Sequence, residues 1–465
     1  MTRKADLTLN LRYMKGLNRN NGARESFNSS FAATLALAGS AVGLGNLWRF
    51  PYLMGENGGA AFILTYVILA AVICLPIMVG EFIIGRRSQA NVFGAFKALT
   101  KNRFWRLVAV LALISVILIL SFYSVVGGWS VEYFFKSLTF SFTGDESDSH
   151  LATMFSDFVS NPWKPLVFHT IFLGLTALIV VLGVKQGIEK FSKVMMPLLF
   201  LLVIAIAVRS MTIKGAEEGI RYIFFPDFSK IDSHTVMMAL GQAFFSLSIG
   251  CGTVITYASY VKKEDSILKC CAGTALFDTL FAVIAGCAIM PAVFAFGISP
   301  SEGPGLVFVT LPHIFSQMPA GGILAIIFFF ALLIAALTSS ISLLEVVIAF
   351  MVEELHLRRK WAVVSSFAVF WILGALCSLS QGVLSDFTIA GRNIFDLFDY
   401  ISANYLMLSG GLLSVIFVGW VLGPKIIRAE VTNEGTLKTP GWLLRVLVFL
   451  IKYIAPLGVL AIMIL

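Results

Sequence analysis

Apolar residues are gathered into eleven long stretches along the chain, and short polar segments separate them. Each stretch is long enough to cross about 30 Å of hydrocarbon as a helix that rises about 1.5 Å per residue. The pattern therefore predicts an all-α polytopic membrane protein with eleven transmembrane helices. The predicted spans are 31–54, 60–84, 104–137, 165–183, 190–210, 236–260, 267–297, 321–352, 361–379, 394–422 and 441–464.

The first apolar stretch is interrupted at mid-length. Residues 37–51 contain three glycines as well as Asn46 and Arg49. Glycine weakens a helix, and polar groups at membrane depth are tolerated where irregular backbone is buried in protein or lines a wet cavity. We interpret the run as a broken helix whose carbonyls and Asn46 face an ion and a solute. The alternative is a packing face, because Gly39 and Gly43 also fit a close helix crossing; packing alone requires neither Asn46 nor Arg49.

The sixth apolar stretch is broken in the same manner. Paired glycines at Gly250 and Gly252 follow Ser246 and Ser248 at mid-depth. The two broken stretches are five apart, and this odd offset makes the second copy enter the membrane from the opposite side. Interrupted helices in corresponding positions of two inverted halves indicate a solute site between them.

This symmetry divides the chain into four segments. We assign residues 1–26 to a cytoplasmic N-terminal arm and residues 27–210 to a first transmembrane repeat with helices 1–5. Residues 211–430 form the second repeat with helices 6–10, and residues 431–465 hold the eleventh helix.

Composition excludes a soluble protein, because 58% of the 465 residues are hydrophobic and only 13% are charged. Lys and Arg are concentrated before the first stretch and in every second loop, which predicts a cytoplasmic N-terminus and an extracytoplasmic C-terminus. The net charge of +8 reflects this bias and requires no nucleic acid. The first 24 residues lack the apolar core of a cleavable signal peptide. Six cysteines in apolar or membrane-edge stretches predict neither disulfides nor a metal cluster.

Further polar residues lie inside the predicted helices. Asp278 is an acid in the seventh stretch, and Thr338 and Ser339 share a helix face in the eighth. Hydroxyls at such positions also commonly bond to their own helix backbone, so a structural role stays open. Glu81 fits a carboxylate held by backbone amides or neighbouring arginines, and Glu345 has no assigned role.

These residues resemble a known family. The run from Gly39 to Pro51, followed by Glu56-Asn57-Gly58-Gly59, is similar to the neurotransmitter:sodium symporters, and so are residues 246–260 and 337–340. The resemblance covers roughly residues 24–465. It implies a LeuT-type 5+5 inverted repeat with broken helices 1 and 6. Eleven rather than twelve spans resembles the bacterial branch that includes multi-hydrophobic amino-acid transporters.

The resemblance implies two sodium sites and no organic cofactor. The ligands of both would be hard oxygens, as an alkali cation requires. The first site would comprise the substrate carboxylate with Ala41, Asn46, Ser246 and Asp278. The second would comprise the carbonyls of Gly39, Val42 and Ala335 and the hydroxyls of Thr338 and Ser339.

The resemblance also implies a substrate pocket. The substrate carboxylate would meet the amides of Leu44 and Gly45 and the hydroxyl of Tyr123, at the positive end of a half-helix. The ammonium would meet span 6 carbonyls near Phe245 and Ser248. The remaining lining is mostly apolar and suits an aliphatic or aromatic side chain. The pocket residues implied are Ala41, Leu44, Gly45, Ile119, Tyr123, Phe245, Ser246, Ser248, Cys251, Ser339 and Leu343.

Three positions refine this expectation. Monoamine carriers of the family are expected to have an aspartate where this chain has Gly43, which favours an amino acid that brings its own carboxylate. Chloride-dependent members carry a hydroxyl where this chain has Ala282, and an ionised Asp278 would supply the missing charge, so we predict chloride independence. Cys251 is small where relatives can carry Phe, which predicts tolerance of large side chains.

The resemblance further implies two gates. Arg49 and Asp399 would pair on the outer side above Phe245. Arg24 and Glu353 would pair on the inner side, beside Phe27, where relatives often carry Trp. The spacing from Gly187 to Pro197 resembles the family's helix 5 unwinding motif, a water path for sodium release.

We therefore expect a sodium-coupled symporter that imports neutral hydrophobic or aromatic L-amino acids across the inner plasma membrane. Its partners would be an amino acid, two sodium ions and the bilayer, without nucleic acid, in a monomer or weak dimer. The same fold with a betaine-like osmolyte or a monoamine is the alternative cargo. A channel or sensor is a further alternative. A membrane-embedded enzyme is disfavoured, because the five histidines lack ligand spacing.

Overall fold

The computed structural model describes residues 25–142, 148–298 and 306–464, which are almost entirely helical. In the first half, the helices are α1 (Ser30–Ala41), α2 (Gly45–Glu56), α3 (Ala60–Ser88), α4 (Val92–Leu99), α5 (Arg103–Leu138), α6 (Asp148–Ser160), α7 (Lys164–Val181) and α8 (Val184–Met211). In the second half, they are α9 (Glu217–Phe224), α10 (Ser233–Ser246), α11 (Thr253–Ala258), α12 (Ile267–Ala295), α13 (Leu306–Gln317), α14 (Gly321–Glu353), α15 (Arg359–Leu379), α16 (Ile394–Leu422), α17 (Pro424–Val431) and α18 (Gly441–Met463).

Nine helices of the described ranges are long and apolar enough to cross a membrane, or ten if the bent pair α1 and α2 is one span. The prediction of eleven spans differs at the sixth. There the chain forms two short helices, α10 and α11, on either side of residues 247–252. The count of eleven therefore stays a prediction that treats α10 and α11 as one interrupted span.

The break between α1 and α2 bends the chain by 50°. The N–H of Gly43 donates to Asn46 Oδ1 at 3.1 Å, and the N–H of Leu44 donates to Tyr123 Oη at 3.2 Å. Backbone groups freed inside a membrane need internal partners. Side chains therefore satisfy the amide groups that the broken helix leaves without carbonyl partners.

The second break is formed by residues in the left-handed region. The φ angles of Ser248, Gly250 and Gly252 are +51°, +84° and +79°. A Cβ at Gly250 would collide with the Met407 carbonyl, so a larger residue does not fit. The N–H of Gly250 donates to Glu81 Oε1 at 3.0 Å. This contact confirms that a backbone amide holds the Glu81 carboxylate, as one sequence interpretation expected.

The broken helix α1 lies in the centre of the molecule. All of its residues from 32 to 41 are buried, and it packs against α8, α12 and α14. The two long helices α5 and α14 pack against each other beside it. Asp232 caps α10 by accepting from the N–H of Thr235 at 2.7 Å, and this hydrogen bond holds the pKa of Asp232 below its usual range.

The start of α8 carries the predicted Gly187-to-Pro197 segment. This segment is helical, but the helix opens with a π turn at Val184–Glu189 and contains Pro197 in its interior. Proline removes one backbone hydrogen bond from a helix, and π turns are locally weaker. The segment is thus wound in this structure and has the composition of a helix that opens easily.

Candidate functional site

Asp278 is a fully buried carboxylate on α12, held by three side-chain donors. Its Oδ1 accepts from Asn46 Nδ2 at 2.8 Å and from Ser246 Oγ at 2.7 Å. Its Oδ2 accepts from Tyr66 Oη at 2.7 Å. Within the described ranges no Lys or Arg pairs with it. A buried carboxylate surrounded by neutral donors fits a site for a small cation, because burying a charge is costly unless it is compensated.

The structure brings together the side chains that the sequence assigns to the first sodium site, namely Asn46, Ser246 and Asp278. The fourth residue, Ala41, lines the adjoining cavity. Tyr66 was not predicted. A buried tyrosine hydroxyl requires a partner, so its place within the second apolar stretch was the available signal.

The residues predicted for the second sodium site also lie close together. Thr338 Oγ1 donates to the Ala335 carbonyl at 3.0 Å and to the Val42 carbonyl at 3.3 Å. Gly39 faces Thr338, since a Cβ added to this glycine would lie 3.5 Å from the threonine Cβ. The bond from Thr338 to its own helix is the structural alternative considered above. It occurs together with the contact to the broken helix.

Ser339 makes a different contact from the one expected. Its Oγ donates to the Ser40 carbonyl at 3.2 Å, and Ser248 Oγ donates to the same carbonyl at 3.2 Å. Ser40 was not among the predicted residues, because neither of the two ligand sets implied by the family resemblance includes its carbonyl. This carbonyl joins α1, α14 and the second break.

A small cavity lies between these two groups. It is lined by all the predicted pocket residues except Leu44, together with Ser40, Gly43 and Met407. Leu44 instead places its amide against Tyr123 Oη. One wall is therefore polar backbone and hydroxyl groups, and the other is apolar. The apolar wall consists of Ile119, Phe245, Leu343 and Met407 with the thiol of Cys251.

Gly43 lets the backbone of the first break face this cavity. A Cβ at this position would collide with Ser339 Oγ and lie 2.9 Å from Tyr123 Oη. Any side chain here would fill the polar end of the cavity. The absence of a side chain leaves that space to a ligand.

Cys251 lies in the second break. Its Sγ donates to the Ser248 carbonyl at 3.2 Å, and Thr253 Oγ1 donates to the same carbonyl at 2.8 Å. These contacts hold the thiol against the wall of the cavity.

The predicted outer gate residues are near each other without forming an ion pair among the described residues. The guanidinium of Arg49 stacks on Phe245, with Cζ 5.0 Å from the ring centroid. Its Nη1 is buried and has no hydrogen-bond partner in the part of the chain that the structure describes. Asp399 lies within electrostatic range of this cation. The predicted pair of Arg49 and Asp399 is therefore not closed in this structure.

The other predicted gate has a different arrangement. Arg24 lies outside the described residues, and Glu353 accepts from the N–H of Asn91 at 2.7 Å and from its Nδ2 at 3.0 Å. Phe27 is buried, donates its N–H to the Tyr260 carbonyl at 3.0 Å and packs edge-on against Tyr257. At this end the chain is closed by packing around Phe27.

Two carboxylates that the sequence did not single out fasten the segment before α1. Glu189 accepts from Asn28 Nδ2 at 2.8 Å and from its N–H at 3.1 Å. Glu25 accepts from the N–H of Val184 at 2.6 Å. Both contacts join residues 25–28 to the first turns of α8, the segment with the π turn.

Glu345, which had no assigned role, pairs with Arg359. Its Oε2 accepts from Arg359 Nη2 at 2.5 Å and its Oε1 accepts from Tyr260 Oη at 2.7 Å. Arg359 also donates to the Val180 carbonyl at 2.7 Å. This pair of a buried carboxylate and a partly exposed guanidinium lies at the closed end beside Phe27, away from the cavity.

Comparisons with known proteins agree with this geometry. The family model for the sodium:neurotransmitter symporter family matches residues 24–154 and 163–465. The chain is 39% identical over 434 residues to YhdH, an uncharacterized sodium-dependent transporter of Bacillus subtilis, covering 93% of this chain and 95% of that protein. It is 38% identical over 457 residues to an uncharacterized sodium-dependent transporter of Haemophilus influenzae, covering 96% and 98%. The crystal structure of MhsT in complex with L-phenylalanine is similar with a TM-score of 0.88 and 41% identity, covering 95% of this chain and 99% of that chain.

Proposed function

Because the chain belongs to the sodium:neurotransmitter symporter family and is a sodium-coupled transporter, we propose that it imports neutral hydrophobic and aromatic L-amino acids by alternating access. The observation that supports an amino acid as the cargo is the glycine at position 43, Gly43. A Cβ there would occupy the space between Ser339 Oγ and Tyr123 Oη, so the protein supplies no carboxylate to an amine at this point. A ligand with its own carboxylate fits the amide and hydroxyl donors at the break, whereas a monoamine would lack a counter-ion.

The first sodium ion would bind at Asp278. The Asn46 amide and Ser246 Oγ both lie within hydrogen-bond distance of the carboxylate, and the cavity that Ala41 lines adjoins them. An amino-acid carboxylate in that cavity would add a further oxygen. The solute would then itself be a ligand of the ion, which supports obligatory coupling.

The second sodium ion would bind at the contact between α1 and α14. The Val42 and Ala335 carbonyls already converge on Thr338 Oγ1. A cation between these oxygens would bind a lone pair of Thr338 Oγ1, whose hydrogen would turn away from the two carbonyls. Gly39 and Ser339 lie beside them and complete the oxygen set that the family resemblance implies.

The apolar wall supports the side-chain class. Ile119, Phe245, Leu343 and Met407 would surround an aliphatic or aromatic group, and the small Cys251 leaves room for a large one. MhsT, which was crystallised with L-phenylalanine, has a similar structure. Hydrophobic and aromatic amino acids are therefore the cargo that the pocket supports best.

Chloride independence is part of this proposal. The buried Ala282 follows Asp278 by one turn of α12 and offers no hydroxyl to an anion, while Asp278 supplies a negative charge near the first ion. Uptake should stay the same when gluconate replaces chloride. A loss of uptake in gluconate would contradict chloride independence.

The arrangement of the two gates supports alternating access. The Phe27 end is packed shut, whereas Arg49 and Asp399 are not paired, which supports a cycle in which these ends open in turn. We assign the Phe27 end and the basic loops to the cytoplasm, and place the protein in the plasma (inner) membrane of the cell. The four segments 1–26, 27–210, 211–430 and 431–465 remain our division of the chain.

Scintillation-proximity binding of labelled leucine, phenylalanine and tryptophan to the purified protein tests the proposal. Binding should require sodium and disappear in potassium, and Asp278→Asn should abolish it. Asp386→Asn, in an exposed loop, is the matched control and should bind as the wild type does. Sodium-dependent counterflow in proteoliposomes should follow the same pattern, since a channel or sensor shows no saturable counterflow. Binding of betaine or a monoamine, with no binding of amino acids, would overturn the cargo and keep the family.

A further inference from the structure

The last helix carries cations inside an otherwise apolar span. Arg445 and Lys452 of α18 are seven residues apart and therefore lie on the same face of the helix. The same face carries Trp442 and Phe449, which are 62% and 52% exposed. Ionisable residues within membrane helices are costly and are functional by default.

Lys452 has an aromatic environment. Its Nζ lies 4.3 Å from the ring centroid of Trp420 and 5.4 Å from that of Tyr453. The indole N–H of Trp420 donates to the Lys452 carbonyl at 3.1 Å. Both rings are partly exposed, at 57% and 42%. The ammonium is thus held over two rings at the edge of the protein rather than in its core.

The position of Trp420 gives the depth of this lysine. Trp420 is close to the end of α16 at Leu422, and α17 with Lys425 and Arg428 follows directly. Helix α17 contacts both the end of α16 and the start of α18. Lys425 and Arg428 on α17 and Arg445 in the first turns of α18 therefore lie toward the end of α16, and Lys452, midway along α18, is level with this end because it lies over Trp420.

No carboxylate neutralises this group within the described residues. The nearby acid on α17, Glu430, is already bound by two other arginines. Its Oε2 pairs with Arg86 Nη2 at 2.9 Å and its Oε1 with Arg87 Nη1 at 2.7 Å. The surface formed by Trp420, Lys425, Arg428, Arg445, Lys452 and Tyr453, which we call the α16–α18 basic surface, therefore carries unbalanced positive charge.

We propose that the α16–α18 basic surface binds the phosphate of an anionic glycerophospholipid. The cations match the phosphate, and the rings lie where aromatic side chains meet lipid headgroups. The exposed apolar residues that continue along α18, Leu457 and Leu460, offer a track for the acyl chains. A soluble phosphate fits less well, because the cation at the centre of the surface lies in a span surrounded by lipid-facing side chains.

Brominated lipids test this directly, because bromine quenches nearby tryptophan. The purified protein is placed in phosphatidylcholine nanodiscs that contain phosphatidylglycerol, with bromine on one lipid or the other. The Trp420 signal is the difference between the wild type and Trp420→Phe. We expect brominated phosphatidylglycerol to quench Trp420 more than its share of the bilayer predicts, and inorganic phosphate not to displace it.

Variants identify the cations responsible. Lys452→Gln and Arg445→Gln should each lower the preference for phosphatidylglycerol roughly fivefold, as the loss of one basic residue near a membrane surface implies. Lys452→Arg should keep it. Lys164→Gln, an exposed cation at the start of α7, is the matched control and should change nothing. Equal quenching by both lipids, an unchanged preference in Lys452→Gln, or displacement by inorganic phosphate would each overturn the proposal. Sodium and amino acids are absent from these measurements, so their outcome does not depend on the proposed cargo.

Discussion

Asn46 Nδ2 and Asp278 Oδ1 are 2.8 Å apart, and this hydrogen bond joins the broken first helix to the intact α12. The same amide group accepts from the N–H of Gly43 through its Oδ1. One side chain thus links the buried carboxylate to the backbone that faces the cavity. A cation bound at Asp278 and a ligand bound at the break would therefore act on the same amide.

Tyr66 should contribute to sodium affinity although it is not an expected ligand. Its hydroxyl donates to Asp278 Oδ2 at 2.7 Å and fixes the orientation of the carboxylate. Tyr66→Phe should weaken sodium-dependent binding roughly tenfold, since a hydrogen bond to a charged group contributes about 1.5 to 3 kcal/mol. Sodium titration of amino-acid binding measures this change. Tyr133→Phe is the control, because the buried Tyr133 hydroxyl has no hydrogen-bond partner to lose among the residues that the structure describes; equal effects of the two variants would contradict the assignment.

Gly43 should be intolerant of any side chain. Gly43→Ala places a methyl group against Ser339 Oγ and Tyr123 Oη, at the polar end of the cavity. We expect amino-acid affinity to fall roughly tenfold or more, as overpacking costs about 1 to 3 kcal/mol. Gly241→Ala on α10 is the matched control, since a Cβ there meets nothing within 4 Å. Wild-type affinity in Gly43→Ala would show that the ligand binds elsewhere.

Cys251 should set the upper size of the substrate. Cys251→Phe fills the cavity from the second break, so the affinity for tryptophan should fall roughly tenfold or more relative to leucine. Cys251→Ser preserves the volume and should preserve the ratio. Competition binding with unlabelled leucine and tryptophan gives the ratio directly. If Cys251→Phe binds tryptophan as well as the wild type does, the cavity is not limited at this position.

Asn28 should keep the start of α8 wound. Its Nδ2 donates to Glu189 Oε1 at 2.8 Å, and Asn28→Ala would remove this hydrogen bond while its backbone N–H still donates to Glu189 Oε2. The first turns of α8, a helix that already contains a π turn and Pro197, would then be held less firmly. Asn28→Ala should raise hydrogen exchange of residues 184–196 roughly tenfold, with little change elsewhere. Asn433→Ala, which removes a side-chain hydrogen bond to Thr436 in a turn after α17, serves as the control. Unchanged exchange in this segment would mean that other contacts hold it.

The sequence predicted the fold through features that are local. Long apolar stretches define helices, and glycines mark the two breaks, so the all-α polytopic fold of LeuT type is confirmed. The predicted number of eleven spans is not confirmed, because α10 and α11 are each too short to count as a membrane-spanning helix. The oxygen sets around Asp278 and Thr338 were found because the family motif carries them.

The features that were missed depend on which helices meet. Tyr66, Met407 and the Ser40 carbonyl reach the site only through the packing of distant segments. Glu345 and Glu189 found partners on other helices that no spacing rule predicts. A motif identifies residue types along one helix. Contacts between helices depend on how each helix is rotated and shifted against its neighbours, and this cannot be read from a single sequence.

The Ser40 carbonyl has only two lone pairs, and both are engaged, one by Ser339 and one by Ser248. An ion arriving beside Ser339, or a solute arriving beside Ser248, would have to displace an internal hydrogen bond. The first arrival then bears part of the cost of loosening the two breaks, and the second binds to a site already opened. By thermodynamic reciprocity, the factor by which sodium favours the solute equals the factor by which the solute favours sodium. Such a carrier would limit uncoupled transport, because neither the ion nor the solute alone gains enough binding free energy to be transported without the other.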